Sequence, residues 1–236
     1  MSSLKDKIVI ITGAVGNLGR AVAERVQTQG GKTILVDRSS VQEVYGDLKG
    51  SGQHWLAGDI DLTDAKSVNA MMAEAHKRFG RFDGLVNTVG GFRGGKPVHE
   101  TDLAEWDFMY DINVRTTLNM CRAVIPYMLQ AQGGRIVNVA SRNAFQGSAN
   151  YAAYSATKTV VLRLTESMAG EYKARGINVN CIVPGTIDTP QNREAMPKAD
   201  FSTWVPPGDL AHVVAFLLSD EARSVTGAAV PVYGRS

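Results

Sequence analysis

Short runs rich in valine and isoleucine alternate with longer amphipathic stretches along the whole chain, and this alternation restricts the fold more than any other feature. Strands buried on both faces of a sheet are nearly continuous in apolar residues, whereas helices that cover a sheet carry one apolar stripe. The runs are residues 8–11, 33–36, 85–89, 135–139, 178–183 and 229–232. The amphipathic stretches are residues 18–29, 64–79, 103–132, 151–175 and 209–218. The pattern predicts an α/β fold built from right-handed βαβ units, with a parallel sheet covered by helices.

Length and composition indicate an ordinary globular protein. The 236 residues are 44% hydrophobic and 20% charged, with a formal net charge of +2. No repeat or Pro-rich linker divides the chain, so we expect one domain over residues 1–236. Scattered lysine and arginine give no basis for a nucleic-acid partner. No apolar run approaches the roughly 18–20 residues of a membrane span, and residues 1–7 do not resemble a signal peptide, so we expect a cytoplasmic protein without a membrane partner.

The cysteines and histidines form no recognisable ligand pattern. Cys121 and Cys181 stand far apart in apolar segments, which predicts two buried thiols and no disulfide. The histidines, at positions 54, 76, 99 and 212, show no metal-ligand spacing. We therefore expect no metal site.

A glycine-rich turn follows the first apolar run directly. Residues 12–19 read T-G-A-V-G-N-L-G, and glycines there allow a tight turn that brings backbone N–H groups close to a pyrophosphate. Asp37 ends the second run, where a carboxylate binds the ribose hydroxyls of an adenosine and repels a 2′-phosphate. The pattern therefore predicts a dinucleotide site that favours NAD. Arg38 leaves NADP possible, because a guanidinium can pair with a 2′-phosphate or stack on adenine.

Tyr154 and Lys158 are four residues apart in a predicted helix, so their side chains share one face. A nearby ammonium favours the phenolate and lowers the pKa of a tyrosine toward the range useful for proton transfer. Ser141, which precedes them, could donate a hydrogen bond to a substrate oxygen. Taken alone, the tyrosine and lysine could equally belong to a solvated helix face.

An ordered set of motifs, from Lys7 to about Gly234, resembles the short-chain dehydrogenase/reductase superfamily. The set comprises the glycine turn, N-T-V-G at 87–90, an asparagine at 113, a serine at 141, Y-x-x-x-K at 154–158, and P-G followed by a threonine at 184–189. The similarity is to the 3-oxoacyl-ACP reductase or secondary alcohol dehydrogenase type. It implies a single Rossmann-type doubly wound domain with a mostly seven-stranded parallel sheet flanked by helices.

The resemblance also implies roles for individual residues. Tyr154 matches the acid/base, and Ser141 matches the serine that polarises the substrate oxygen. Lys158 matches the lysine that lowers the tyrosine pKa and binds the nicotinamide ribose, and Asn113 matches an asparagine that holds a water linking this lysine to solvent. The residues that match the cofactor site are Gly13, Asn17, Leu18, Asp37, Arg38, Asp59, Ile60, Asn87, Tyr154, Lys158, Pro184, Gly185, Ile187 and Thr189.

Two positions depart from the family pattern. Asn17 replaces the usual middle glycine of the turn, and asparagine tolerates a left-handed backbone, so we expect the turn to survive. Val89 replaces an alanine and could narrow the floor beneath the cofactor. Neither departure affects the four catalytic residues, so we expect the chemistry to persist.

The resemblance implies an enzyme that transfers a hydride between NAD or NADP and a secondary alcohol or ketone. The alternative is a non-catalytic cofactor-sensing or scaffold protein with the same fold, which would usually have lost part of the catalytic set. Relatives pair through helices equivalent to residues 114–132 and 151–175, which implies a homo-oligomer, either a dimer or a tetramer.

The substrate is predicted to be a small molecule. Residues 186–207 are irregular and rich in proline, which makes them a candidate lid or a plain surface excursion. Two of the candidate wall residues, Arg93 and Arg142, would together favour an anionic substrate. The candidate wall residues are Phe92, Arg93, Arg142, Phe145, Tyr151 and Trp204.

Overall fold

The structure is a computed structural model that describes residues 3–235, and these residues contain one seven-stranded sheet in which every strand pair is parallel. The strand order is β3-β2-β1-β4-β5-β6-β7, which confirms the predicted doubly wound α/β fold. The strands are β1 Ile8–Thr12, β2 Lys32–Val36, β3 His54–Ala57, β4 Gly84–Asn87, β5 Gly134–Val139, β6 Ile177–Pro184 and β7 Ala229–Val232.

Eight α-helices within residues 3–235 cover the sheet or connect its strands. They are α1 Asn17–Thr28, α2 Gln42–Tyr45, α3 Ala65–Phe79, α4 Leu103–Tyr110, α5 Thr116–Gln130, α6 Ala152–Tyr172, α7 Pro190–Ala195 and α8 Pro207–Leu218. Alternate residues of β1 show how the core is divided, because successive side chains of a strand point to opposite faces. Ile10 packs in the layer that contains α3 and α5, whereas Ile11 packs in the layer that contains α1 and α8.

The stretch at residues 103–132 is not the continuous α-helix that the sequence predicts. The structure separates α4 from α5 by a π-helical turn, Asp111–Arg115, because local side chains compete for the helix carbonyls there. Thr116 Oγ1 donates to the Ile112 carbonyl at 2.8 Å, and Thr117 Oγ1 donates to the Asn113 carbonyl at 3.2 Å. The interruption places Asn113 at the point where the helix changes its winding.

The candidate lid is also more ordered than its composition suggests. It contains the short helix α7 and a 3-10 turn, Phe201–Thr203. Thr189 caps α7 by accepting a hydrogen bond from the Asn192 N–H at 3.1 Å, and Pro190 occupies the first helical position, where its missing N–H costs nothing.

The carboxyl ends of the parallel strands meet at one edge of the sheet, which is where ligands bind in folds of this kind. Ser141 follows β5 there, and Gly185 follows β6. Within residues 3–235, no helix has the length and apolar character that a membrane crossing requires.

Candidate active site

The glycine turn between β1 and α1 has the backbone geometry of an anion site. Gly13 has φ +63°, and a Cβ built at Gly19 would lie 2.1 Å from the Gly13 carbonyl oxygen, so both positions require glycine. Gly16 begins α1 without a side-chain cap, and the first turn of α1 contains no acidic residue. Because the first N–H groups of a helix have no partner within the helix, this end suits a phosphate group.

Asn17 does not adopt the left-handed backbone that its position in the motif led us to expect. It is the first residue of α1 and is not among the non-glycine residues with a positive φ. Gly16 already completes the turn, so the asparagine lies inside the helix, where φ is negative. Its Nδ2 donates to Oε1 of Gln191 in α7 at 2.9 Å. Asn17 therefore connects the glycine turn to the candidate lid.

Asp37 connects the end of β2 to the same turn. Its Oδ2 accepts a hydrogen bond from the Val15 N–H at 3.0 Å, and its Oδ1 accepts one from the Ser39 N–H at 2.9 Å. Asp37 is half-buried, whereas the neighbouring Arg38 is exposed. The structure thus brings a carboxylate next to the glycine turn, and its role toward a ribose stays a prediction.

Asp59 and Ile60, two of the predicted cofactor residues, lie just beyond β3. Asp59 is exposed and has φ 59°, an uncommon left-handed backbone for a residue other than glycine. The Ile60 N–H donates to the Asp37 carbonyl at 3.0 Å. This hydrogen bond holds the loop after β3 beside the end of β2.

The segment at the end of β6 and after it contributes a further group of residues to the site. Pro184, Gly185 and Ile187 line the central cavity, together with Leu18 from α1. Thr189, also predicted to bind the cofactor, uses its hydroxyl oxygen to cap α7. Its contribution in this structure is to the start of α7.

Asn87 lies inside the sheet and does not face the cavity. Its Nδ2 donates to Asn138 Oδ1 at 2.9 Å, and its Oδ1 is buried without a hydrogen-bond partner within the described chain. The next residue, Thr88, lines the cavity and donates from Oγ1 to the Thr12 carbonyl at 2.6 Å. Asn87 thus supports the strand ends from below, and Thr88 connects β4 to the start of the glycine turn.

Ser141 and Tyr154 both line the wall of the cavity, and Ser141 favours the ionised form of the Tyr154 phenol. The Asn143 N–H donates to Ser141 Oγ at 3.3 Å within a short 3-10 turn, Arg142–Ala144. A hydroxyl that accepts at its oxygen keeps its proton free to donate. Ser141 is therefore oriented as a donor toward the tyrosine and toward any substrate oxygen beside it.

Lys158 and Asn113 converge on the backbone of the glycine pair after β4. Lys158 is 5% exposed, and its Nζ donates to the Val139 carbonyl at 3.0 Å. The Asn113 side chain forms two hydrogen bonds with the Gly91 backbone, at 3.0 and 3.1 Å. A Cβ built at Gly90 would lie 3.0 Å from Asn113 Oδ1 and 3.1 Å from Lys158 Nζ, so a larger residue there would crowd both groups.

The pKa of Tyr154 differs in direction from the sequence-based expectation. Burial raises the pKa of the Tyr154 phenol, and the hydrogen bond with Ser141 offsets part of that rise. Burial also lowers the pKa of Lys158 from 10.5 to about 8. The ammonium was expected to lower the tyrosine pKa, but desolvation of the phenol dominates here. Lys158 Nζ lies 6.0 Å from the Tyr154 ring centroid and bonds to Val139.

We expect Lys158 of the free protein to titrate near pH 8. Because burial disfavours the ammonium, the unfolded chain holds this proton between about pH 8 and 10.5 while the folded protein releases it, so folding stability rises with pH in that window. The measurement is the pH dependence of lysine Cε chemical shifts in protein carrying ¹³C-labelled lysine. Lys158→Arg identifies the resonance, and a midpoint equal to that of the exposed lysines would contradict the prediction.

A cavity of about 750 Å³ lies beside Ser141 and Tyr154 and contains three of the predicted wall residues. The Phe92 ring packs edge-to-face on Tyr151 and on Tyr154, with centroid distances of 4.9 and 5.0 Å. Arg142 also lines the cavity. Phe92, Tyr151 and Arg142 are therefore placed as the sequence led us to expect.

The other three predicted wall residues lie outside the cavity. The Arg93 guanidinium carbon sits 3.5 Å from the centroid of the Phe108 ring, and neither residue lines the cavity. Trp204 is 7% exposed and packs on Phe201, because the chain around it returns to pair Val205 with Ile187. Phe145 is exposed and is not among the residues that line the cavity. The roles of these three residues toward a substrate stay predictions, and the structure does not place them in the cavity lining.

Several lining residues had no sequence signal of their own. Asn143 lies two residues after Ser141, and its Nδ2 donates to Ser148 Oγ at 3.0 Å. Met196, at the end of α7, is exposed beside the cavity. The position of Asn143, two residues after Ser141, is a sequence signal for a hydrogen bond to the serine hydroxyl. The position of Met196 beside the cavity depends on the path of α7 and has no such signal. Within residues 3–235, no group of three or more potential metal ligands comes together.

Comparison with known proteins identifies the family of this fold and site. The short chain dehydrogenase family model matches residues 7–200. The 2-(S)-hydroxypropyl-CoM dehydrogenase 3 of Xanthobacter autotrophicus is 33% identical, over 98% of this chain and 96% of the relative. The cis-4-hydroxycyclohexanecarboxylate dehydrogenase of Sinomonas cyclohexanicum is 34% identical, over 97% of this chain and 96% of the relative.

A solved structure also has a closely similar fold. The carveol dehydrogenase of Mycobacterium avium, in complex with NAD, superimposes with a TM-score of 0.90 at 25% identity, over 99% of this chain and 98% of the other. The family match spans the residues that contain Ser141, Tyr154 and Lys158, and the structural similarity extends over nearly the whole chain. The chain belongs to the short-chain dehydrogenase/reductase family, whose members are NAD(P)-dependent oxidoreductases that act on alcohols and ketones.

Proposed function

We propose that this protein interconverts a secondary alcohol and its ketone, with Tyr154 as the acid and base. The observation that carries the proposal is that Ser141, which accepts a hydrogen bond from the Asn143 N–H, and Tyr154 line the same wall of a cavity large enough for a small substrate. A preorganised donor beside a reacting oxygen stabilises the negative charge that develops there.

Proton transfer in both directions uses the same two hydroxyl groups. In the reduction, the Tyr154 phenol gives its proton to the substrate oxygen, and in the oxidation its oxygen takes the proton back. Ser141 donates a hydrogen bond to that oxygen in both directions. Because burial raises the pKa of Tyr154, the phenol is protonated at neutral pH in the free protein, which suits the acid role. Lys158 supplies positive charge to this end of the cavity while it is protonated.

The residues of the strand ends suit a nicotinamide dinucleotide. The close-packed glycines at 13 and 19 leave room for a backbone approach to phosphate, and the uncapped start of α1 supplies N–H donors. When bound, this cofactor supplies or accepts the hydride. Asp37 favours NAD, since a carboxylate beside the ribose disfavours a 2′-phosphate. The carveol dehydrogenase structure, described as a complex with NAD, supports the same preference.

We also propose that residues 186–207 form a lid over the substrate. Ile187 and Met196 line the cavity, and Gln191 of α7 accepts the hydrogen bond from Asn17 across the site. A ligand that enters the cavity would therefore lie between the glycine turn and α7. The lid residues that contact it would contribute to selectivity.

The test is an absorbance assay at the NADH band with NADH or NADPH and a panel of ketones, and with NAD or NADP and the matching alcohols. We expect turnover of at least one pair and a higher kcat/KM with the NAD form. Tight cofactor binding without turnover across the panel would favour the non-catalytic alternative. A higher kcat/KM with NADP would overturn the assignment of Asp37.

We further expect the protein to associate through the outer faces of α5 and α6. A groove of about 400 Å³ runs between these helices and is lined by Ile125, Leu129, Leu164 and Met168, an apolar surface typical of a subunit contact. Light scattering should give a mass at least twice the 25.4 kDa of one chain. Leu164→Glu should lower that mass while the variant keeps its folded circular dichroism spectrum. A wild-type monomer at micromolar concentration would contradict the expectation.

A further inference from the structure

We infer that Phe92 selects the substrate of this protein, and that the substrate is an uncharged ketone or secondary alcohol with a hydrocarbon ring at or next to the reacting carbon. The inference rests on the proposed function and adds the substrate class and the residue that selects it. It follows from the position of the Phe92 ring against Tyr154, from the exposed apolar surface in the cavity, and from the contacts that the charged lining residues already make.

The Phe92 ring is held against the tyrosine that is the proposed acid and base. It packs edge-to-face on Tyr154 and on Tyr151, with centroid distances of 5.0 and 4.9 Å and interplanar angles of 83° and 88°. Aromatic pairs in this geometry attract each other beyond the area that they bury. The backbone just before Phe92 is also anchored, because the Asn113 side chain forms two hydrogen bonds with Gly91. The place of the ring is therefore fixed by its backbone and by two neighbouring rings.

The backbone just after Phe92 is anchored as well. The Gly95 N–H donates to the Asn150 carbonyl at 2.9 Å. A Cβ built at Gly94 would lie 2.7 Å from Tyr151 Cδ1 and 3.3 Å from Phe92 Cζ, so the chain can pass this close to both rings because the residue is glycine. A wall that is held on both sides is already formed before a ligand arrives, so little conformational entropy is lost when a ligand packs on it.

Phe92 leaves apolar surface in the cavity in spite of these contacts. It lines the cavity and is 54% exposed. Tyr151 and Met196 are also exposed large side chains that line the cavity, and we call these three residues the apolar wall. Exposed apolar surface gathered at a cavity suits the burial of an apolar ligand group. Because the Phe92 ring contacts the Tyr154 ring, a ligand group that packs on it must lie at or next to the reacting carbon.

The charged residues of the lining already make contacts of their own. Lys158 Nζ donates to the Val139 carbonyl at 3.0 Å, and the Arg142 guanidinium carbon lies 4.3 Å from the centroid of the Tyr233 ring. In the part of the chain that the structure describes, no aspartate or glutamate lines the cavity. A charged group buried on the apolar wall would have no partner there, and such burial is costly. An uncharged hydrocarbon body therefore suits this wall, and a flat aromatic face covers more of a ring than of a methyl group.

Phe145 provides a matched control. It is 53% exposed, nearly the same fraction as Phe92, but it is not among the residues that line the cavity. Alanine at either position removes the same ring from a similarly exposed place, so both variants should keep the folded circular dichroism spectrum. Only the substitution at position 92 should alter the preference for a ring. Phe92→Leu is a second test, because leucine keeps an apolar side chain without the flat face and should retain part of the preference.

The first arm of the experiment measures binding without turnover. An NMR titration of the NAD complex, in which a ketone cannot be reduced, compares cyclohexanone with acetone. We expect the wild-type protein and Phe145→Ala to bind cyclohexanone at least about tenfold more tightly than acetone, and that ratio to fall at least about fivefold in Phe92→Ala. Equal affinity for the two ketones in the wild type, or an unchanged ratio in Phe92→Ala, would overturn the inference. No detectable binding of cyclohexanone would also overturn it.

The second arm measures turnover of the same two ketones and of 4-oxocyclohexanecarboxylate with NADH. We expect the wild-type kcat/KM to be highest for cyclohexanone, and its ratio to that of acetone to fall by about tenfold in Phe92→Ala and to persist in Phe145→Ala. An equal loss for every ketone in Phe92→Ala would mean that Phe92 only positions Tyr154, and would overturn its role in selection.

The remaining outcomes separate the substrate class from the proposed function. Faster reduction of the charged acid than of cyclohexanone by the wild type would overturn the substrate class and leave the proposed function intact. Preferential binding of cyclohexanone that depends on Phe92, without turnover of any ketone, would support the apolar wall and count against the proposed function.

Discussion

Tyr154→Phe should lower kcat by about 10²- to 10⁴-fold, the usual contribution of a general acid or base, while the dissociation constant for NADH changes little. The substitution removes one hydroxyl group, whose pKa Ser141 lowers, and keeps the ring that packs against Phe92 at 5.0 Å. Steady-state assays give kcat, and quenching of NADH fluorescence gives the dissociation constant. Full activity in this variant would remove Tyr154 from the mechanism.

Tyr151→Phe is the matched control for that experiment. Tyr151 packs edge-to-face on the same Phe92 ring, at 4.9 Å, and lines the same cavity. Loss of its hydroxyl removes the same polar group from the cavity and leaves Ser141 and Tyr154 in place. We expect kcat to stay within the same order of magnitude. An equal loss in both variants would mean that general polarity, and not proton transfer at Tyr154, explains the effect.

The fold was predictable because it is encoded by repeated local patterns. The apolar runs became strands of the sheet, since a strand buried on both faces needs apolar residues at consecutive positions. The strand His54–Ala57 was not among the runs, because it lies at the sheet edge and begins with two half-buried residues. The π-helical turn before Thr116 was also not predicted. Its threonine-to-carbonyl hydrogen bonds depend on side-chain orientation and not on periodicity.

The candidate site was predictable only where spacing along the chain equals proximity in space. Tyr154 and Lys158 share a helix, and the glycine turn is contiguous, so both could be identified from the sequence. Arg93 and Arg142 are the same residue type near the same strand ends, yet only Arg142 lines the cavity. Which of the two does so depends on the loops that follow β4 and β5. The direction of the Tyr154 pKa was likewise inaccessible, because it depends on burial.

Gly19→Ala should lower both the folding stability and the affinity for NADH, because it disturbs the predicted cofactor site. The new Cβ would lie 2.1 Å from the Gly13 carbonyl oxygen and 2.9 Å from the Ala14 Cα, and both are backbone atoms that cannot rotate away. Relief of the clash requires the turn to move away from α1. Overpacking of this kind costs about 1–3 kcal/mol of folding free energy. We expect that loss in urea unfolding, together with at least about a tenfold rise in the dissociation constant for NADH.

Gly208→Ala separates the clash from the general effect of replacing a helical glycine. Gly208 lies in the first turn of α8, as Gly19 lies in the first turn of α1, but a Cβ built at Gly208 meets no atom within 4 Å. Alanine restricts the unfolded chain more than glycine does, so this variant should gain up to about 1 kcal/mol of stability and bind NADH as the wild type does. Replacement of glycine by alanine is thus expected to lower the folding stability at the start of α1 and to raise it at the start of α8. If both variants instead bound NADH normally, the glycine turn would not be the phosphate site, because displacement of its backbone would have left cofactor binding untouched.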